Sequence, residues 1–176
     1  MTPASLAALI RSVPDFPEPG IDFKDITPLL ADAEGFAWSV NELASRFRGS
    51  GIDLVVGVEA RGFVFSAPVA YALGAGLVPI RKPGKLPHAI DSVTYSLEYG
   101  GDTLEIHSDA IAQGARCLIV DDVLATGGTA AAAAELVARQ GGHLVGFGFL
   151  AELGFLGGRA KLEPHEIIEA LITYEE

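Results

Sequence analysis

Four short runs, Leu54–Val58, Leu77–Ile80, Cys117–Val120 and Leu144–Leu150, are apolar throughout, and helical stretches around Phe63–Leu73 and Ala130–Gln140 separate them. A strand with one wet face alternates apolar with polar residues. A run with no alternation must be covered on both faces, as parallel strands are when helices pack against them. The pattern predicts an α/β fold built on a parallel sheet flanked by helices, with a last strand over Ile168, Ala170, Ile172 and Tyr174. Inside this frame, Val93, Tyr95, Leu97 and Tyr99 alternate with polar residues, Gly100-Gly101-Asp102 supplies a turn, and Leu104 and Ile106 continue the alternation. That is the mark of an inserted antiparallel hairpin.

The front of the chain reads differently. Thr2 and Pro3 open a helix with Leu6, Leu9, Ile10 and Val13 on one face. From Pro14 to Pro28, four prolines and scattered Phe16, Ile21, Phe23 and Ile26 match neither period, so an ordered irregular cover is expected there. Phe36, Val40, Leu43, Ala44 and Phe47 form a second amphipathic helix, ended by Gly49 and Gly51. At 176 residues the whole, residues 1–176, is expected to be one domain.

Charge narrows the function. Twelve Lys and Arg against 23 Asp and Glu give a net charge of −11, which argues against nucleic acid or an anionic membrane as partner. The stretch Gly62–Ile80 is uncharged and long enough to cross a bilayer, but Pro68, Gly74, Gly76 and Pro79 divide it into helix, turn and strand. A single cysteine, Cys117, forbids an intrachain disulfide, and Met1–Val13 has no basic region ahead of an apolar run, so the cytoplasm is expected.

In so acidic a chain, local basic clusters carry information. Arg81, Lys82 and Lys85 place three of the 12 basic residues in one short segment after a strand end, which suits an anionic ligand or equally a solvated loop. Glu59-Ala60-Arg61-Gly62 leaves another strand end and aims Arg61 at the same sheet edge. The strongest local signal is Val120-Asp121-Asp122-Val123-Leu124-Ala125-Thr126-Gly127-Gly128-Thr129, which joins a buried strand, two acids, a small-residue turn and a helix start. Open α/β sheets bind ligands at the carboxyl ends of their strands. Two adjacent carboxylates can accept from the vicinal hydroxyls of a ribose. Thr126–Thr129 offers backbone amides, two hydroxyls and the positive end of a helix for a phosphate monoester. The competing readings are a metal-binding acid pair or a plain helix cap. His88, His107, His143 and His165 lack metal-ligand spacing.

Five segments together resemble the adenine phosphoribosyltransferases: Pro14-Asp15-Phe16-Pro17 with Pro19-Gly20-Ile21, Phe23 and Asp25-Ile26; Glu59 to Phe63; Arg81 to Pro87; Tyr95 to Gly100; and Val120 to Thr129. The last is shared by phosphoribosyltransferases at large, whereas Lys85-Leu86-Pro87 and Leu97-Glu98-Tyr99-Gly100 point to the adenine branch. The resemblance implies a type I phosphoribosyltransferase-like sheet with an N-terminal hood over about residues 14–30 and a flexible hairpin over about 81–100. It implies transfer of the 5-phosphoribosyl group from 5-phosphoribosyl 1-pyrophosphate (PRPP) to adenine, giving AMP and pyrophosphate in purine salvage, by a homodimer. Magnesium is expected as cofactor, held mainly through substrate oxygens and not by a dedicated protein site. Arg61, Arg81, Lys82, Lys85, Asp121, Asp122, Ala125, Thr126, Gly127, Gly128 and Thr129 are expected to bind the diphosphate sugar. Glu98, with Arg61 and Lys85, is expected to serve catalysis. Ile21, Asp22, Phe23 and Lys24 are expected to bind adenine. Asp22 stands where relatives commonly carry an apolar residue and Lys24 where they carry Arg, which has a planar fork that Lys lacks. A phosphoribosyltransferase for another base, or a nonenzymatic sensor of the diphosphate sugar, are the rival readings.

Overall fold

The computed structural model describes residues 1–97, 100–163 and 167–175. Thr2 opens α1 (Pro3–Ala7) with a capping box: its hydroxyl accepts from the Ser5 amide while Ser5 Oγ accepts from the Thr2 amide. The helix stops short of the expected Val13. Val13 precedes Pro14, whose ring disfavours helical geometry at the residue before it. Its backbone instead joins β1 (Arg11–Pro14), antiparallel to β2 (Asp22–Asp25), with Val13 opposite Phe23. Residues 14–28 are therefore more regular than expected, since they complete this hairpin and enter α2 (Thr27–Ala31) with Pro28 in its first turn. Strands this short leave too little alternation to be read in a sequence.

The next helix, α3 (Ala33–Arg46), is capped by Asp32, whose carboxylate accepts from the Gly35 amide at 2.7 Å. It buries Val40, Leu43 and Ala44, and Phe47 follows at its end. Next come β3 (Leu54–Val58), α4 (Gly62–Leu73) and β4 (Gly76–Ile80). The uncharged stretch Gly62–Ile80 is thus a helix, a turn with Gly74 at φ +68°, and a strand. Among the described residues no helix is long and apolar enough to cross a membrane.

The inserted hairpin is β5 (Ile90–Leu97) and β6 (Gly100–His107). Leu97 pairs with Gly100, Ser96 with Gly101 and Tyr95 with Asp102, so the three residues expected as the turn belong to a strand. Residues 98–99 lie outside the described residues. Lys82 and Tyr95 both bind the Asp102 carboxylate.

The chain finishes with β7 (Arg116–Leu124), α5 (Gly128–Arg139), β8 (His143–Leu153), two short 3-10 turns (Gly154–Leu156 and Gly158–Lys161) and β9 (Ile168–Tyr174). The central sheet has the order β4-β3-β7-β8-β9, with every pairing parallel. On one face Val56, Ile119, Phe147 and Phe149 meet Ala133, Leu136 and Val137 of α5 and Val93, Leu104 and Ile106 of the hairpin. On the other, Val55, Leu118, Val120 and Leu150 meet Leu43 of α3 and Phe65 and Val69 of α4. This double cover is what the unalternating runs require. Cys117 is fully buried in the first cluster, and burial pushes its thiol pKa up to about 11.

Candidate active site

Parallel strands deliver their carboxyl ends to one edge, and the chemistry collects there. β7 runs past Val120 to Leu124, so Asp121 and Asp122 lie within the strand and not just beyond it. Asp121 Oδ1 accepts from the Asp122 amide at 2.9 Å. Desolvation, and then the like charge of Asp122, push the pKa of Asp121 well above the ordinary carboxylate value. The Asp122 side chain is only 7% exposed, and Arg61 Nε lies 2.9 Å from its Oδ2 as an ion pair. That oxygen accepts no aligned hydrogen bond.

The turn after β7 leads through Ala125 and Thr126 to Gly127, at φ +77°, and straight into α5. No side chain caps this helix, so its first amides are left for something else. Thr129 Oγ1 lies 3.1 Å from the Tyr95 hydroxyl, which also donates to Asp102 Oδ2 at 3.1 Å. Lys82 Nζ forms an ion pair with the same carboxylate. The hairpin is thereby tied to the start of α5.

β3 and β4 end in register, Val58 beside Ile80, which brings Glu59 next to Arg81. Glu59 Oε2 accepts from Arg81 Nε and from the Lys82 amide, each at 2.9 Å, while Oε1 accepts from Lys85 Nζ at 2.7 Å. The Arg81 guanidinium first, then Lys85 and the Lys82 amide, lower the Glu59 pKa to about 2. Opposite charges placed just after two adjacent parallel strands were a readable signal for this anchor, and sequence reasoning gave Glu59 no role.

The hood meets the acids through Arg61, whose guanidinium carbon lies 5.2 Å from the centroid of the Phe23 ring. Phe16 packs edge-on against Phe23 at 5.2 Å. Asp22 and Lys24, two apart on β2, share the opposite strand face. Lys24 Nζ lies 2.7 Å from Asp22 Oδ2 and 2.9 Å from Ser12 Oγ, and 4.7 Å over the Tyr174 ring. The two departures from the family pattern are therefore partners.

A cleft of about 390 Å³ is lined by Arg61, Lys82, Asp121, Asp122 and the whole Ala125–Thr129 turn, together with Glu59, Tyr95 and Asp102. Arg81 and Lys85 are not among its lining residues; both are held at its margin by Glu59. Ile21, Asp22, Phe23 and Lys24 also lie outside the lining, with Phe23 joined to it through Arg61. Glu98 lies outside the described residues. Tyr95 and Asp102 were read only as hairpin residues, because their link to Thr129 spans the fold.

Residues 22–168 match the phosphoribosyl transferase domain family. A protein from Solibacter usitatus named adenine phosphoribosyltransferase is 56% identical over 171 residues, 97% of this chain and 98% of the relative. Its namesake from Acaryochloris marina is 57% identical, over 96% and 99% of the two chains. The crystal structure of adenine phosphoribosyltransferase from Thermoanaerobacter pseudethanolicus superposes with a TM-score of 0.95 at 53% identity, covering 98% of this chain and all of that one. That of the Saccharomyces cerevisiae enzyme, complexed with an imino-altritol bisphosphate and adenine, gives 0.89 at 41% identity, over 96% and 97%. The chain belongs to the phosphoribosyl transferase domain family, in its adenine phosphoribosyltransferase branch.

Proposed function

We infer that this chain transfers the 5-phosphoribosyl group from PRPP to adenine, giving AMP and pyrophosphate, a purine salvage reaction. The observation that carries the reading is the cleft itself: an acid pair beside an uncapped helix start, with Arg61 and Lys82 facing it. Amides and hydroxyls of Ala125–Thr129 hold the 5′-phosphate. Asp121 and Asp122 accept from the ribose hydroxyls, and Arg61 and Lys82, supported by Arg81 and Lys85, hold the diphosphate.

As the bond to the anomeric carbon breaks, positive charge grows on the ribose and negative charge on the departing pyrophosphate. Fixed cations at Arg61 and Lys82 favour that separation, and the two carboxylates stand on the ribose side. Adenine lies under the hood, where Phe23 stacks and the backbone at Ile21 and Asp22 reads its edge. Lys24 supports that strand from behind through Asp22, Ser12 and Tyr174. Glu98 is carried over from the family as the group that handles the proton of the purine imidazole ring. Closure of residues 81–100 keeps water from the reactive ribose.

The donor set suits magnesium, since Asp121 and Asp122 are hard oxygen ligands. The ion would be held mainly through diphosphate and ribose oxygens. When bound, it would neutralise leaving-group charge. The chain works as a cytoplasmic homodimer. In support, α4 leaves Val64 and, at 90% exposure, Tyr71 uncovered, with Leu77 of β4 also exposed. A monomer at micromolar concentration in sedimentation would contradict the pairing.

Pyrophosphate release with adenine, hypoxanthine, guanine and xanthine compared side by side tests the substrate. Release with adenine alone is expected, and equal release with hypoxanthine would refute the base assignment. Asp121→Ala and Asp122→Ala should each lower kcat/KM by about tenfold or more, the scale of one charge-assisted bond.

A further inference from the structure

The phosphate turn does not hold its own shape. An added Cβ at Gly127 would stand 2.4 Å from the Gly158 carbonyl oxygen and 3.2 Å from Gly158 Cα. A Cβ at Gly158 would stand 2.0 Å from the Ala125 carbonyl oxygen and 2.8 Å from the Gly127 amide nitrogen. Two backbone segments about thirty residues apart in sequence thus lie against each other with no room for a methyl group on either side. Gly127 holds φ +77° where the chain swings from β7 into α5, and the segment carrying Gly158 packs directly against that turn.

That segment is itself anchored. Arg159 follows Gly158 in the second 3-10 turn and donates to Glu152 through Nε at 3.0 Å and Nη2 at 2.5 Å. Its third nitrogen, Nη1, donates to the Ile168 carbonyl at the start of β9, 2.9 Å away. Glu152 is buried near the end of β8, paired with Leu124, the last residue of β7 before the turn. A planar fork against a buried carboxylate fixes direction as well as distance. Leu162, 1% exposed, pins the far end of the same segment in the core.

We propose that Glu152, Arg159 and Gly158 form a brace that sets the backbone of the Ala125–Gly127 turn, and that they are positioning residues for the phosphate half of the substrate. None of the three lines the cleft; they decide where the turn's amides point. The proposal rests on the reading that this turn holds the 5′-phosphate. A displacement of about 1 Å in a positioning element can lower a rate by about a hundredfold.

The test compares three single variants of the full chain, Thr126→Ala, Gly158→Ala and Arg159→Lys, by steady-state kinetics with each substrate varied in turn. Thr126→Ala reports on the turn directly. Arg159→Lys keeps the charge and removes the fork, and is the variant to rely on if Gly158→Ala does not fold. The expected result is a KM for the diphosphate sugar raised about tenfold or more in all three, with KM for adenine within twofold of wild type. If Thr126→Ala raises that KM and neither brace variant does, the brace is overturned and the phosphate reading stands. If Thr126→Ala changes nothing, the phosphate reading fails and the proposal falls with it. If Arg159→Lys lowers Tm but leaves both KM values unchanged, or raises both equally, the pair is merely structural and the proposal is wrong.

Discussion

Glu59→Gln removes the carboxylate that gathers the basic segment. Glutamine keeps the size and one acceptor oxygen, so the Lys82 amide keeps a neutral bond. A bond to a charged group is worth about 1.5–3 kcal/mol and a neutral one about 0.5–1.5, so that contact loses roughly 1–1.5 kcal/mol. Arg81 and Lys85 are 31% and 49% exposed, and solvent limits each ion pair to roughly 0.2–1 kcal/mol. The sum is about 1.5–3.5 kcal/mol. For a domain of this size that is a fall in Tm of roughly 3–14 °C at pH 7. The difference must also depend on pH in a fixed direction. In the folded chain Glu59 titrates at about 2 against an ordinary 4.5, so its contribution is full above 4.5 and is lost as pH falls toward 2. Glutamine does not titrate. Melting of both proteins by circular dichroism from pH 8 to pH 3 should show a constant gap down to about 5 and a narrowing gap below it. No gap at pH 7, or one of constant width down to pH 3, would refute the anchor.

Three other outcomes are expected. Because desolvation and Asp122 raise the Asp121 pKa, affinity for the diphosphate sugar should weaken on acidification at a higher pH than an ordinary carboxylate would give; Asp122→Asn should move that midpoint downward, and an upward or absent shift in the KM profile would count against the coupling. Lys24→Met should raise KM for adenine a few-fold, the scale of one half-buried cation–ring contact, and leave KM for the diphosphate sugar alone; the opposite split would dissociate β2 from the base. Trypsin should cut after Arg81 or Lys85 in the free protein and more slowly with the diphosphate sugar, magnesium and an unreactive adenine analogue; equal rates would argue against closure.

What could be read from the sequence follows from range of interaction. The core strands were legible because burial on both faces leaves a local record, an apolar run without alternation. The acid pair and the glycine turn were legible because one contiguous segment carries strand, acids and helix start. Glu59, Tyr95 and Gly158 were not, since each acts through a contact with a distant segment: Arg81 across a strand register, Thr129 across the core, Gly127 across a bend. Asp22 and Lys24 were legible singly, as departures from the family pattern. Their pairing needed β2 to be recognised as a strand, and four residues beside two prolines and a glycine gave no period to recognise.

The sealed position of Cys117 also has a practical side. A thiol fully buried and titrating at about 11 is almost entirely protonated at neutral pH, and the protonated form is a poor nucleophile. Maleimides and similar labels should therefore pass the native chain by. A cysteine introduced at an exposed hairpin site, as in Thr94→Cys, would be the only reactive sulfur in the molecule. A fluorophore or spin label attached there would test whether the hairpin moves when substrates bind, with the native sequence otherwise intact.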